Sequence, residues 1–335
     1  MKETASSIAS RLGISVGTVS RILSGKAEQN RISPATVRRV LDEAARCGYV
    51  RPLRVKKKSA DVRPDLIGLV LPTLEADFGA TLAHSLVCEF EAAGYNCILK
   101  IFTDGEKLPD QFTSLMSAGV KAIVTPYLID YKSVFKSLES SDIPVIFIDN
   151  HSKDLKIPYV STDNFKAGAI AAEKLVANGH KKTALIQFDD SLPTNIERTQ
   201  GYVSVMEKYG LEPTVACGTM DFDTSLDVAG AMLGAQDRPT AIFALAPQIE
   251  RAVEMAAHEL GLRIPEDLSV ITMDSNLKSG RDVCSIYQPL GDMAKAAVAL
   301  TLKCISSPIR IITGVKLTPI INDGMTIRNL NGTLK

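Results

Sequence analysis

Tryptophan is absent from this chain of 335 residues, and phenylalanine and tyrosine bring its aromatic fraction to only 5%. Long apolar runs are absent too, because no stretch approaches the roughly 18 uninterrupted apolar residues that a membrane-spanning helix requires. The first residues lead into a helical pattern instead of an apolar signal sequence. The chain is therefore predicted to be cytoplasmic and to have no membrane partner.

Cysteine is sparse, and its spacing lacks the close pairs that disulfide frameworks and zinc sites use. Six cysteines stand singly along the chain: Cys47, Cys88, Cys97, Cys217, Cys284 and Cys304. Isolated cysteines of this kind indicate buried, reduced thiols. No metal site is expected.

Motifs of the common enzyme classes are missing as well. No G-x-G-x-x-G follows a predicted strand, and no G-x-S-x-G occurs. The run from Ser24 to Lys26 fails the phosphate-loop pattern because Ser20 occupies the position of its first glycine. His258 is followed by Glu259 but not by a second histidine four residues on. We expect neither catalytic activity nor a cofactor.

Net charge is zero, with 38 basic and 38 acidic residues, but the two signs are unevenly distributed. Residues 1–63 carry 14 basic and five acidic side chains, a net charge of +9, and the remainder carries −9. A basic N-terminus on an acidic body is typical of a nucleic-acid-binding domain joined to another domain. On charge alone, a solvated lysine-rich tail remains an alternative.

Helical periodicity divides the first 50 residues into three short segments. The first ends at Gly13, the second begins at Ser15, and the third begins at Ser33-Pro34 and ends near Gly48. The second segment places Val19 inward, so that its short polar and basic residues face outward. This face fits the major groove of DNA, although a plain helical hairpin capped by serine and threonine remains an alternative.

Beyond a basic stretch, short runs of Ile, Val and Leu alternate with amphipathic helical patterns, which predicts parallel sheets covered by helices. Strands are expected at residues 66–71, 96–102, 120–125, 144–149, 183–188, 214–217, 241–245 and 268–273, with a late helix at 291–304 and a late strand at 311–317. The chain is thus predicted to contain a helix-turn-helix head (residues 1–50), a basic linker or hinge (51–64) and a two-lobed α/β body (65–335). Lobe 1 is expected to comprise residues 65–161 and 289–318, and lobe 2 residues 162–288 and 319–335.

The order of several motifs resembles that of the lactose-repressor (LacI/GalR) family. The head motif is IASRLGISVGTVSRILSG at residues 8–25, followed by ISPAT at 32–36. Body motifs are IGLVLP at 67–72, IPVIFID at 143–149, VSTDN at 160–164, IPEDLSV at 264–270 and QPLG at 288–291. The resemblance implies a periplasmic-binding-protein-like body with two doubly wound parallel sheets. It also implies a homodimeric transcriptional regulator, by analogy a repressor, that binds a palindromic operator in double-stranded DNA and a sugar or related metabolite between its lobes.

Roles of individual residues follow from the resemblance. It implies base contacts by Val16, Gly17 and Arg21, and contacts to the DNA backbone by Ser15, Thr18, Ser20, Ser33 and Thr36. It places Asp149, Arg198 and Asp274 in the effector cleft, with Phe78 in its wall. A carboxylate and a guanidinium can each bind neighbouring polar groups of a ligand, although an ion pair between Arg198 and Asp149 remains an alternative.

Two segments depart from the family pattern. Lys56, Lys57 and Lys58 stand where relatives have the small face of a hinge helix, which predicts phosphate contacts without strong kinking of the DNA. Residues 243–247 are apolar where relatives have a polar residue and an aspartate, so the ligand is either less hydroxylated than a hexose or the site is degenerate. The alternative function is a solute-binding module without specific DNA binding.

Overall fold

Each α-helix of the N-terminal unit begins at a hydroxyl side chain that accepts a backbone N–H, which satisfies one of the free donors of the first turn. The computed structural model describes residues 3–49, 65–71, 73–74, 77–102, 108–275, 282–307 and 309–331. These residues form two separate units, one before and one after residue 63. The helices of the first unit are α1 (Ala5–Leu12), α2 (Val16–Leu23) and α3 (Pro34–Arg46), capped by Thr4, Ser15 and Ser33.

Apolar residues at helical spacing close this unit into a small core. Ile8, Val19 and Val40 are fully buried, one from each helix, and Ile22 and Ala44 pack beside them. Gly13 adopts the left-handed conformation (φ 64°) that ends α1 and turns the chain into α2. A short 3-10 helix at Glu28–Asn30 leads toward α3. The predicted helix-turn-helix arrangement is therefore present.

The second unit contains two six-stranded sheets flanked by helices. Its strands are β1 (Leu66–Leu71), β2 (Asn96–Ile101), β3 (Ala122–Thr125), β4 (Val145–Ile148), β5 (Tyr159–Thr162), β6 (Thr183–Gln187), β7 (Thr214–Cys217), β8 (Ala241–Ala244), β9 (Ser269–Met273), β10 (Cys284–Tyr287), β11 (Gly314–Leu317) and β12 (Ile320–Asn322). Its helices are α4 (Asp77–Ala92), α5 (Leu108–Ala118), α6 (Lys132–Leu138), α7 (Asn164–Ala177), α8 (Pro193–Lys208), α9 (Phe222–Leu233), α10 (Pro247–Glu259) and α11 (Leu290–Ser306). None of these described helices, nor those of the first unit, combines the length and apolar character needed to span a bilayer.

Sheet order shows that the chain passes between the two lobes three times. Lobe 1 has the order β11-β5-β4-β3-β1-β2, and lobe 2 has the order β12-β10-β9-β8-β6-β7. The three passages therefore follow β5, β10 and β11. Thr162 ends β5 and Gln288 follows β10, so both lie where the chain passes between the lobes. The hydroxyl of Thr162 donates to Oε1 of Gln288 at 2.9 Å. The fold is the two-lobed, doubly wound body that the sequence predicts.

Details of the sheets differ from the prediction. The strands β5, β10 and β12 were not expected, because they are short and polar residues interrupt them (YVST, CSIY and IIN), so that none forms a continuous apolar run. All strand pairs are parallel except that β12 runs antiparallel to β10. Only two residues separate β12 from β11, although the two strands belong to different sheets.

Cysteine burial also differs from the expectation. All six cysteines are free, and Cys284 is buried, but Cys88 and Cys217 are exposed. The prediction of buried thiols was therefore wrong for these two residues. Cys88 lies on an outer position of α4, and Cys217 ends the edge strand β7, so neither faces a core.

Helices α7 and α8 of lobe 2 are in backbone contact at two glycines. A Cβ atom on Gly168 would lie 1.8 Å from the carbonyl oxygen of Arg198, and one on Gly201 would lie 1.9 Å from that of Phe165. No side chain larger than hydrogen fits at these distances without moving a helix. The two contacts therefore fix α8 against α7.

Replacing Gly201 with alanine is expected to lower the free energy of unfolding by at least about 3 kcal/mol, because overpacking must separate the helices. The matched control is Gly230→Ala in α9, where a Cβ would meet nothing within 4 Å. That variant is expected to gain up to about 1 kcal/mol from helix propensity. Urea unfolding of both variants tests the contrast, and equal effects would contradict it.

Candidate functional site

One face of α2 is free of core contacts and carries most of the residues predicted to contact DNA. Ser15, Val16, Gly17, Ser20 and Arg21 are exposed, with Val16 47% exposed, and Thr18 is half-buried. Val19 and Ile22 occupy the opposite face and anchor the helix in the core. The exposed face is therefore short, polar and held on a rigid support.

The starts of α2 and α3 share the same hydroxyl geometry. Ser15 Oγ lies 2.8 Å from Thr18 Oγ1, and Ser33 Oγ lies 2.8 Å from Thr36 Oγ1. Each serine also accepts the N–H of its threonine partner. These hydroxyls can bind phosphate oxygens, and the partial positive charge at a helix N-terminus favours that contact.

Gly17 leaves open space on this face. A Cβ there would meet Ser15 Oγ at 3.7 Å and Arg21 Nη1 at 3.9 Å, which are ordinary contacts. Its φ lies outside the left-handed region, so the fold of the head does not require glycine at this position. The missing side chain brings the backbone of α2 closer to whatever lies against it.

Arginines of the head fall into paired and unpaired groups. Arg11 bridges Glu3 and Glu43, and Arg46 donates two hydrogen bonds of 2.8 Å to Glu43. Hydrogen bonds from Arg46 and then Arg11 lower the pKa of Glu43 to about 2. Within residues 3–49, no carboxylate pairs with Arg21. Its charge remains available to a partner. Lys56, Lys57 and Lys58 lie outside the described residues.

Two aspartates occupy equivalent places in the two lobes. Asp149 follows β4 of lobe 1 and Asp274 follows β9 of lobe 2, each at the carboxyl end of a central strand where ligands bind in such sheets. Both adopt the left-handed conformation, with φ of 67° and 51°. Such a backbone is uncommon outside glycine and is concentrated at functional sites.

The side chains of Asp274, Arg198 and Asp149 differ in how many of their polar atoms form hydrogen bonds. Asp274 accepts from the backbone and side-chain nitrogens of Gln288 at 3.0 and 2.9 Å. Arg198, on α8 and 5% exposed, donates from Nε to Asn164 Oδ1 at 2.8 Å. Asp149 accepts only a long 3.3 Å bond from Asn150 on Oδ2, and its buried Oδ1 has no partner. Asp149 therefore has one buried acceptor oxygen without a hydrogen-bond donor.

Burial dominates the electrostatics of these three residues. It raises the pKa of Asp149 to about 6, an effect that Arg198 opposes and Asp274 reinforces. Burial likewise raises the pKa of Asp274 and lowers that of Arg198. No direct ion pair joins Arg198 to either aspartate within the part of the chain that the structure describes. The three charged groups thus influence one another electrostatically without a direct ion pair.

The lobe 1 side of this cleft is apolar. Phe78 from α4 lines a cavity of about 120 Å³ that reaches Asp149, together with Leu71, Leu82, Leu128 and Ile148. Residues 243–246 of lobe 2 are buried, so the apolar segment that departs from the family pattern is part of the lobe core. Among the described residues, no group of three or more His, Cys, Asp or Glu side chains is placed so that it could hold a metal ion.

Sequence reasoning missed three polar residues at the lobe boundary. Asn164 and Gln288 lie in the motifs VSTDN and QPLG, but their spacing along the chain does not reveal that they bond Arg198 and Asp274. Glu197 is 6% exposed and pairs with two lysines of lobe 1. The only sequence feature that could have pointed to Glu197 was its position next to Arg198.

Replacing Asp149 with asparagine is expected to raise the free energy of unfolding at pH 7 by up to about 3 kcal/mol, because the folded chain no longer buries a charge. The raised pKa means that the folded state binds the proton more tightly than the unfolded state. In the wild type, burying the ionised Asp149 lowers the free energy of unfolding. This effect is absent below pH 3.8, grows as the pH rises, and is complete above about pH 6.

Urea unfolding at pH 5, 6 and 7.5 tests whether the stabilisation increases with pH. The difference between Asp149→Asn and wild type should grow with pH over this range. Asp227→Asn, at an exposed position on α9, is the control and should show no such growth. A difference for Asp149→Asn that stays constant with pH would contradict the prediction.

Comparisons with known proteins agree with this architecture. Residues 64–283 match the family model of periplasmic binding proteins and the sugar-binding domain of the LacI family. The chain is 25% identical over 311 residues to catabolite control protein A of Priestia megaterium, covering 90% of this chain and 92% of that protein. It is 34% identical over 212 residues to the maltose regulon regulatory protein MalI of Escherichia coli K12, covering 63% and 61%.

A solved structure extends the likeness in fold to nearly the whole chain. The lac repressor dimer bound to operator and the anti-inducer ONPF matches with a TM-score of 0.73 and 20% identity, covering 98% of this chain and 100% of that one. The match to the family model includes well over half of the residues. This chain therefore belongs to the lactose-repressor (LacI/GalR) family of transcriptional regulators.

Proposed function

We propose that the chain is a cytoplasmic transcriptional repressor without catalytic activity, whose head binds a palindromic operator and whose body binds a small effector. The observation that carries the proposal is the outer face of α2. It presents Arg21 without a carboxylate partner within residues 3–49, whereas Arg11 and Arg46 on the other helices of the head are paired with Glu3 and Glu43. A free guanidinium on an exposed helix can donate to O6 and N7 of guanine.

Roles on the head follow from this placement. Val16, Gly17 and Arg21 contact base edges, with the Val16 methyls against a thymine methyl. Ser15, Thr18, Ser20, Ser33 and Thr36 bind phosphates and set the position of the helix in the groove. A homodimer presents two such heads to the two halves of a palindrome, because a twofold protein matches a twofold site.

The body binds its effector between the lobes. Asp149 accepts from a donor of the ligand, Arg198 and Asp274 bind from lobe 2, and Phe78 packs against its apolar part. A hexose needs partners for many hydroxyls, and each buried polar group without one costs about 1–3 kcal/mol. The apolar wall supports a sugar derivative or related metabolite with fewer hydroxyls than a hexose. A degenerate cleft is the outcome if no such compound binds.

A solute-binding module without specific DNA binding is the second candidate, since the same cleft would serve it. Selection of DNA fragments from the source genome, bound by full-length protein and read by sequencing, separates the two. The repressor predicts enrichment of a palindromic sequence. Fragments without any shared sequence would favour the solute-binding module.

Arg21→Ala is expected to cost about 1–3 kcal/mol in operator affinity through one base position in each half-site. The reason is that a guanidinium bound to guanine distinguishes that base from the other three. Affinities for operator variants substituted at each position test the assignment. A loss of equal size on every sequence would assign Arg21 to phosphate contacts instead.

Replacing Lys56, Lys57 and Lys58 with glutamine is expected to flatten the plot of log affinity against log salt by about 0.9 for each phosphate that the lysines no longer neutralise. The control is Lys208→Gln, which changes an exposed lysine of lobe 2. An unchanged slope in the triple variant would mean that these lysines do not contact phosphate. Gel shifts with permuted operator positions measure bending, and a sharp central bend would contradict phosphate binding without kinking.

A further inference from the structure

An ion cluster around one buried carboxylate joins the two lobes. Glu197 of α8 accepts from Lys316 Nζ on Oε2 at 2.8 Å, and Lys153 Nζ lies 3.6 Å from its Oε1. Glu197 belongs to lobe 2, whereas Lys316 lies on β11 and Lys153 follows β4, both in lobe 1. We call Glu197, Lys316 and Lys153 the interlobe ion cluster.

Burial makes this cluster different from the surface ion pairs of the chain. The Glu197 side chain is 7% exposed, that of Lys316 is 35% exposed and that of Lys153 is 79% exposed, whereas both partners of the pair between Lys208 and Glu173 are more than half exposed. The buried member of the cluster is therefore the carboxylate. An exposed pair is screened by water and contributes little. A buried carboxylate that loses its partners is instead left as an uncompensated charge, which strongly disfavours that arrangement.

Apolar packing does not fill the lobe boundary next to the cluster. A cavity of about 290 Å³ lies there, lined from lobe 1 by Tyr127, His151 and Lys153 and from lobe 2 by Pro193, Ile196 and Glu197. His151 is 3% exposed, stacks on Tyr159 at 3.8 Å, and is neutral at pH 7 because burial lowers its pKa to about 4. Among the described residues that line this cavity, Lys132 and Asp154 pair with each other within lobe 1, and the ion pairs that join the lobes are those of Glu197 with Lys316 and Lys153.

The position of Glu197 links the cluster to the cleft. Glu197 and Arg198 are consecutive residues of α8, and α8 is fixed to α7 by the contacts at Gly168 and Gly201. Any movement of Glu197 relative to lobe 1 therefore moves Arg198 relative to Asp149 by a similar amount. A contact made outside the cleft sets the separation of groups inside it.

We propose that Glu197 is a positioning residue whose ion pairs with Lys316 and Lys153 set the separation of the two lobes, and with it the spacing of Arg198 and Asp149. This assignment rests on the proposed effector cleft for its functional meaning. The separation of the lobes is a property of the protein itself. It can be measured without an effector.

Pulsed electron spin resonance on full-length protein measures that separation. One spin label is placed on each lobe through Ser133→Cys on α6 and Glu207→Cys on α8, both exposed positions. The exposed Cys88 and Cys217 are first replaced with serine. Labelled chains are diluted into an excess of unlabelled chains so that distances between the two chains of a dimer do not contribute.

Charge reversal provides the decisive comparison. Glu197→Lys places three cations together and is expected to lengthen and broaden the distance distribution, as is Lys316→Glu. Combining Glu197→Lys with Lys316→Glu restores an ion pair of reversed sign and is expected to return the distribution toward that of the wild type. Loss of packing alone would not be repaired by the second substitution.

Two further variants keep the test decisive. Glu197→Gln preserves shape while removing the charge, and it is expected to shift the mean to longer distances even if Glu197→Lys fails to fold. The matched control is Glu173→Lys, which reverses the charge of one partner of an exposed ion pair within lobe 2. It is expected to leave the distance distribution unchanged. A wild-type distribution in Glu197→Gln, or a double variant no closer to wild type than the single ones, would overturn the proposal.

Operator binding by the same variants separates this proposal from the proposed function. If Glu197→Gln leaves the distance unchanged while the wild type selects a palindromic operator, the positioning role fails and the regulator stands. If the distance changes but no operator is selected, the positioning role stands and the regulator fails. The two results are therefore independent.

Discussion

The backbone contact between α7 and α8 is the constraint on which the cleft depends. At Gly168 and Gly201 each helix lies against a carbonyl oxygen of the other, so neither can slide or rotate alone. Because α8 carries both Arg198 and Glu197, this contact turns two side chains into fixed points of lobe 2. The polar chemistry of the cleft is thus held by the closest packing that helices allow, which positions charge without requiring many hydrogen bonds.

The buried carboxylate of Asp149 lowers the stability of the fold. Asp149 has a strained backbone, an open acceptor oxygen and a raised pKa, three features that folding alone would not favour. Asp274 has the same backbone conformation, but its two oxygens are occupied by Gln288. The two lobes are alike in topology and differ in how far their cleft carboxylate is satisfied. This difference makes lobe 1 the side with unmet capacity for a ligand donor.

The sequence predicted the fold well, and the connections between distant residues poorly. Caps at Ser15 and Ser33, the turn at Gly13 and the alternating apolar runs are local signals, and each appears in the structure where it was expected. The strands β5, β10 and β12 are short and interrupted by polar residues, so they show no continuous apolar run. The partners of Arg198 and Asp274 come from residues 34 and 14 positions away, so no spacing rule could pair them. The exposed Cys88 and Cys217 were misjudged because burial depends on which face of an element packs, not on residue type alone.

The late strands β11 and β12 have a consequence for how the chain is made. Each one completes the edge of a different sheet, β11 beside β5 and β12 beside β10, and only two residues separate them. During translation, neither lobe can finish its sheet until residues 314–322 have left the ribosome. Two open edges therefore coexist in every nascent molecule, each able to pair with a strand of a neighbour. The two lobes therefore complete their sheets at nearly the same point of synthesis.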